Sequence, residues 1–224
     1  MTESELALLL NDISTCEGRI IDSQAYRNSS VVIPIIPGES LDSCRILLEK
    51  RAEHMPQGRE ICLPGGGIEA GETSRDAGFR ELAEETGLAS GAVTASAYYG
   101  SLVNAGGRLV HVWMGIVDDN RPWDPNEEVE RLFTLSLKLL RNSPTTVYRV
   151  SVDFGRRPPE KEIPFHRFDF SHDYGRDWRG RDLNVLFYEN LEETLWGMTA
   201  KIIQNFVEDL YTAYERRYGP DQPV

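Results

Sequence analysis

The chain has 224 residues, 40% of them hydrophobic and 27% charged, a composition that excludes wholesale disorder and supplies one large domain with a core. Acidic residues outnumber basic ones 36 to 24, for a net charge of −12, which argues against non-specific nucleic-acid binding. No apolar run approaches the ~20 residues of a membrane span, and Cys16, Cys44 and Cys62 lack the spacing of a disulfide framework or zinc site, so a cytoplasmic protein is expected.

In chain order, an amphipathic helix is predicted at about 3–14. Two short apolar strands follow, Val31–Ile36 and Arg45–Lys50, separated by the Pro37-Gly38 turn signal. Pro64-Gly65-Gly66-Gly67 then leads into a helix. Thr73 with Asp76 reads as its capping box, and Gly87 stands just past its end. At 100° per residue Phe79, Leu82 and Ala83 form its buried stripe, while Glu81, Glu84 and Glu85 fall on the opposite arc. Ala95–Val103 and Leu109–Val117 read as a strand pair around Ala105-Gly106-Gly107. Asn126-Glu127-Glu128-Val129-Glu130 follows Pro122 and Pro125 and precedes an apolar run. A segment at about 154–182 mixes arginines such as Arg156, Arg167 and Arg179 with aromatics such as Phe165 and Trp178. A C-terminal helix is predicted at about 191–214, its stripe made by Leu195, Thr199, Ile202, Ile203, Phe206 and Leu210. The pattern is α+β, and residues 1–224 are expected to form a single domain.

Chemistry concentrates between Gly66 and Leu88. Three carboxylates at i, i+3 and i+4 repel unless something positive sits among them. Hard divalent cations prefer such oxygen clusters, and Mg²⁺ usually combines a few carboxylates with substrate phosphates and water. A glycine loop beside them lets bare backbone approach closely. A Glu-rich helix face is usually only a solvated surface, and a Pro-Gly-Gly run only a turn. The set is more specific: Gly66, Glu72, Arg80, Glu81, Leu82, Glu84, Glu85, Gly87 and Leu88 fit G-x5-E-x7-R-E-U-x-E-E-x-G-U without a mismatch. Seven fixed identities make a chance match on the order of 10⁻⁷ over the whole chain.

That stretch resembles the signature of the Nudix hydrolases. The resemblance implies an α/β/α sandwich with a mixed sheet between helices, and hydrolysis of nucleoside diphosphate derivatives with Mg²⁺ or Mn²⁺. It implies metal-binding roles for Glu81, Glu84 and Glu85, with the carbonyl of Gly65 or Gly66 as a backbone ligand. Glu72 and Arg80 resemble the family's structural ion pair. Glu128-Val129 resembles a Glu-Val element found after the central strands of many such chains. Glu128 is therefore the first candidate for a further ligand or base, and Glu84 the alternative; a surface helix start explains Glu128 equally well.

Leu195-Trp196-Gly197-Met198-Thr199-Ala200 is similar to the C-terminal signature of the coenzyme A diphosphatase subfamily, although such residues are more often core than site. Leu47-Leu48 with Arg51-Ala52, and Glu60-Ile61-Cys62-Leu63-Pro64-Gly65-Gly66, resemble two halves of that subfamily's upstream motif. The departures are Glu49 where it has threonine, Leu63 where it has phenylalanine, Met55 and Arg59 where it has arginine and glycine, and a loop one residue short. The resemblance implies cleavage of coenzyme A or its thioesters to 3′,5′-ADP and 4′-phosphopantetheine (or its acyl form), with Arg51 and Arg59 as candidate phosphate contacts. Hydrolysis of ADP-ribose or another nucleoside diphosphate derivative is the alternative. A Nudix isomerase, which would need a cysteine and a glutamate facing a pocket, and a non-catalytic binding module are the remaining classes. The expected partner is a small-molecule nucleoside diphosphate, not nucleic acid or membrane, and a homodimer is open to the chain.

Overall fold

Strand β1 (Arg27–Ile36) is the centre of the sheet, and its alternation sorts two cores. Val32 and Ile36 face one side, Ile33 the other, all at most 2% exposed. The computed structural model describes residues 20, 22–104, 106–118, 122–151 and 182–219. The helix expected at 3–14, and the 154–182 segment apart from Asp182, lie outside the described residues.

β1 pairs in parallel with β6 (Arg108–Val117) along one edge, and antiparallel with β2 (Arg45–Arg51) at the other. β5 (Val93–Val103) extends the sheet beyond β6, antiparallel to it. β3 (Ile61–Cys62) and β7 (Val129–Ser136) both pair with β2, and β4 (Gly65–Gly67) with β1, giving a seven-stranded mixed sheet. Helix α1 (Ser74–Thr86) packs on one face beside Val32, Ile36, Leu47 and Val117. Helix α2 (Leu137–Asn142) follows β7, and helix α3 (Gly197–Tyr218) covers the other face with Ile202, Ile203, Phe206, Val207 and Tyr211. Each large apolar side chain so buried contributes about 1.5–3 kcal/mol. This is the layered architecture the sequence leads one to expect.

Three local differences have physical reasons. α3 starts at Gly197, not near 191, because residues before it turn back on the chain: Tyr188 N–H donates to Leu195 O at 2.9 Å, and Phe187 bridges Trp196. The buried face of α1 is also rotated from the expected stripe. Ala77, Gly78, Leu82, Glu85 and Thr86 are buried, and Phe79 and Ala83 only half so. Gly78 sets this, since a Cβ there would lie 2.7 Å from Ser30 Oγ, so the helix comes down on its small residues. Finally, β8 (Thr145–Val150) and β9 (Leu183–Tyr188) form a separate two-stranded sheet. Among the described residues no helix is long and apolar enough to cross a membrane.

Candidate active site

β1 and β2 pair only at Ile35 with Ile46 and at Ile36 with Arg45, then diverge. Residues 61–67 enter the opening: Ile61 and Cys62 pair with β2, Gly65–Gly67 with Ser29–Val31 of β1. Close approach demands glycine here. A Cβ at Gly65 would sit 2.2 Å from the Ser30 carbonyl oxygen, and one at Gly66 2.3 Å from Glu81 Oε1. α1 lies over this fork. Thr73 caps it by accepting from Asp76 N–H at 3.1 Å, and Gly87 ends it at φ 71°.

Arg80 binds the loop to the helix. Its Nε and Nη2 donate to Glu72 Oε1 and Oε2 at 2.9 and 3.2 Å, a two-pronged pair. Nη2 also donates to Gly67 O at 3.3 Å, and Nη1 to Glu81 Oε1 at 2.9 Å and Glu84 Oε2 at 3.3 Å. The hydrogen bonds from Arg80 hold the Glu72 carboxyl below its usual range. Burial raises Glu81, against the pull of Arg80.

The three carboxylates do not share one environment. Glu84 is exposed and Glu81 half-buried, but Glu85, expected opposite the buried stripe, is 2% exposed. The Gly65 N–H donates to Glu85 Oε2 at 2.8 Å. Against it lies Glu49, a wholly buried carboxylate of β2 that lies outside the 66–88 signature. Alternation along β2 is the signal that finds it: Leu47, Glu49 and Arg51 share the face turned to α1. Cys62 Sγ donates to Glu49 Oε1 at 2.9 Å, and Arg51 Nη1 stands 3.6 Å from that oxygen and 4.0 Å from Glu85 Oε1. Among the described residues Glu49 Oε2 has no hydrogen-bond partner. The two carboxyl groups can bond to each other only if one keeps a proton. Burial, and then the neighbouring Glu49 charge, push Glu85 well above the carboxylate range; burial likewise raises Glu49 and the Cys62 thiol.

Glu128 joins this group from the turn just before β7. Ala52 N–H donates to its carbonyl at 2.8 Å, and its own N–H donates to Asn126 Oδ1 at 3.0 Å, so it stands beside the end of β2. From there its charge acts on both Glu49 and Glu81. Among the described residues no three His, Cys, Asp or Glu side chains converge as a ready cage for an ion. Arg80 and the Gly65 amide hold the oxygens of Glu81, Glu84 and Glu85 instead. A cation such as Mg²⁺ needs no all-protein cage, and buried, mutually repelling carboxylates with an orphaned oxygen are the donor set it fits.

Beside the fork opens a cavity of about 670 Å³. Its wall includes Gly65–Gly67, Cys62 and four cationic side chains: Arg27, Arg51, Arg108 and Lys201. Trp196, Gly197, Met198 and Thr199 also line it, so the segment read as core stands at a cavity wall, at the start of α3. The α1 carboxylates are not in that wall; the glycine loop and Arg51 are the shared border. Arg59 is not in the wall either. It is two-thirds exposed, its Nη1 3.9 Å from Glu53 Oε1, on a loop that residues 57 and 59 turn with positive φ. A cleft of about 740 Å³ over β9, bounded by Tyr148, Phe187 and Trp196, has none of the α1 carboxylates.

The chain is similar to Nudix hydrolase 3 of Caenorhabditis elegans, 29% identical over 137 residues that cover 58% of this chain and 56% of that protein. It thus spans about half the length of that curated relative. Among solved structures it resembles a MutT/nudix family protein from Enterococcus faecalis (12% identity, 93% of this chain and 75% of that one, TM-score 0.49). It also resembles a bifunctional NMN adenylyltransferase/ADP ribose pyrophosphatase from Francisella tularensis, complexed with AMP and a manganese ion (20% identity, 60% and 40%, TM-score 0.39). Residues 26–151, more than half of the sequence, match the NUDIX domain, and the chain therefore belongs to the Nudix family.

Proposed function

We propose that this protein is a metal-dependent hydrolase of the diphosphate linkage in nucleoside diphosphate derivatives, with coenzyme A or its thioesters as substrate. Glu81, Glu84 and Glu85, with a carbonyl of Gly65 or Gly66, would hold Mg²⁺ or Mn²⁺. When bound, the ions would neutralise the diphosphate and lower the pKa of the attacking water. Arg80 holds the loop and helix in register, a positioning role. Glu128 is our choice for the base that accepts the water's proton. Glu84 would first have to leave Arg80, whereas Glu128, among the described residues, is held through its backbone.

The observation that carries the coenzyme A reading is the cavity wall. Gly65–Gly67 and Arg51 border the carboxylates at one side, while Trp196–Thr199, Arg27, Arg108 and Lys201 line the rest. A diphosphate lying across the glycine loop would send its remaining groups into a space with more cationic side chains than the diphosphate itself requires. Coenzyme A carries an additional phosphate, and the aromatic and thioether surfaces of Trp196 and Met198 suit its uncharged arm. The isomerase reading is disfavoured because the Cys62 thiol is bonded to Glu49, which has no exposed surface from which to reach a substrate.

The test compares kcat/KM for coenzyme A, acetyl-coenzyme A, ADP-ribose and a dinucleoside polyphosphate with Mg²⁺ and with Mn²⁺. Efficiency at least tenfold higher for the coenzyme A pair is expected. Higher efficiency for ADP-ribose or the dinucleotide would leave the hydrolase and overturn its substrate.

A further inference from the structure

We infer that Glu49, outside the 66–88 signature, is an additional metal ligand of this site. The inference rests on the metal-dependent hydrolase reading above. Glu49 is 0% exposed, and Leu47, two residues earlier on the same face of β2, is an ordinary core residue. An apolar side chain at 49 would continue that core. A carboxylate there loses its hydration, which costs several kcal/mol unless paired. The partners present fall short of that. Cys62 offers one thiol proton to Oε1, Arg51 stands 3.6 Å away and is shared with Glu85, and Oε2 has no hydrogen-bond partner among the described residues unless the Glu85 carboxyl keeps a proton.

One guanidinium therefore faces two buried carboxylates, with Glu81 and Glu128 near enough for their charges to act. A divalent cation supplies the missing positive charge and an acceptor for the free Oε2 lone pairs. The strands locate it there. Glu49 lies opposite Cys62 in the β2–β3 pairing, at the mouth of the fork where the glycine loop and Glu85 meet. A role as thiol acceptor explains Oε1 alone, and a proton shared with Glu85 would satisfy Oε2 while leaving two carboxyls buried with one guanidinium between them.

Mn²⁺ binding to the full chain, without substrate, tests this by electron paramagnetic resonance and titration calorimetry on wild type, Glu49→Gln, Glu49→Asp and Glu85→Gln. Melting temperatures in chelator report folding. Glu49→Gln should weaken Mn²⁺ binding at least about tenfold, the lower end of what loss of a supporting carboxylate does to a metal site. Its metal-free melting temperature should stay level or rise, because the neutral amide removes a carboxylate that is costly to bury. Should the amide prevent folding, Glu49→Asp keeps the charge, withdraws the oxygens and should weaken binding likewise. Wild-type affinity in a folded Glu49 variant, beside weakened binding in Glu85→Gln, overturns the inference and leaves the hydrolase reading intact. Absence of Mn²⁺ binding in the wild type overturns both.

Discussion

Gly66→Ala should separate folding from catalysis. The added Cβ would fall 2.3 Å from Glu81 Oε1 and 2.5 Å from Glu81 Cδ, and real Cβ contacts hardly occur under 3.0 Å, so the carboxylate must retreat by at least 0.7 Å. The obstructing atoms are the far end of a flexible side chain, so stability should change by no more than about 1 kcal/mol. A displacement near 1 Å in a reacting constellation costs roughly 100-fold in rate, or about 2.7 kcal/mol of barrier. Gly67→Ala is the matched control, since nothing lies within 4 Å of a Cβ at that position. Initial rates at saturating metal and substrate, with urea melts for stability, make the comparison. Equal kcat in Gly66→Ala and wild type would refute the placement of Glu81 at the reacting centre. Unfolding of Gly66→Ala would refute the claim that Glu81 can yield.

Other expectations follow from the same geometry. Glu84→Gln, at an exposed position away from the buried face of α1, should cut turnover about 100-fold with an unchanged melt; near-wild-type turnover would remove Glu84 from the metal site. Arg51→Ala should raise KM severalfold, whereas Arg59→Ala, whose partner Glu53 lies away from the cavity, should leave KM within about twofold; steady-state kinetics on the two variants decides. In chelator, Glu85 and Glu49 have folded pKa values raised above their unfolded ones, so the folded state binds more protons. Their contribution is complete below the ordinary carboxylate range and is lost as pH rises through the raised values. Metal-free wild type should therefore lose stability with rising pH relative to Glu85→Gln, measured as melting temperature. Parallel pH profiles for the two proteins would contradict this.

The sequence makes the signature helix legible at its ends, because Thr73, Asp76 and Gly87 act through neighbours a few residues away. Its buried face is not legible from hydrophobicity. Gly78 and Ala77 face the sheet because they are small, and Glu85 turns inward to reach the Gly65 amide. β5 and β6 are readable because a short connection joins them, and β8–β9 is not, since Thr145 pairs with Tyr188 far along the chain. Glu49 is hidden for a similar reason. By motif it stands only as a departure from a threonine, while its burial depends on the register that sets β2 between β3 and β7. Trp196–Thr199 look like the interior of an apolar helix, but Trp196 caps α3 and Gly197, φ 67°, opens it, so its first turn stands at the cavity wall.

The most direct measurement is hydrolysis of coenzyme A in ¹⁸O-labelled water with Mn²⁺, read by mass spectrometry of the products, with a chelator-treated control. The expected products are 3′,5′-ADP and 4′-phosphopantetheine, one of them carrying a single ¹⁸O on phosphorus, with no products in chelator. Intact coenzyme A together with intact ADP-ribose and dinucleoside polyphosphate, or cleavage that proceeds equally in chelator, would contradict a metal-dependent diphosphate hydrolase built on Glu81, Glu84 and Glu85.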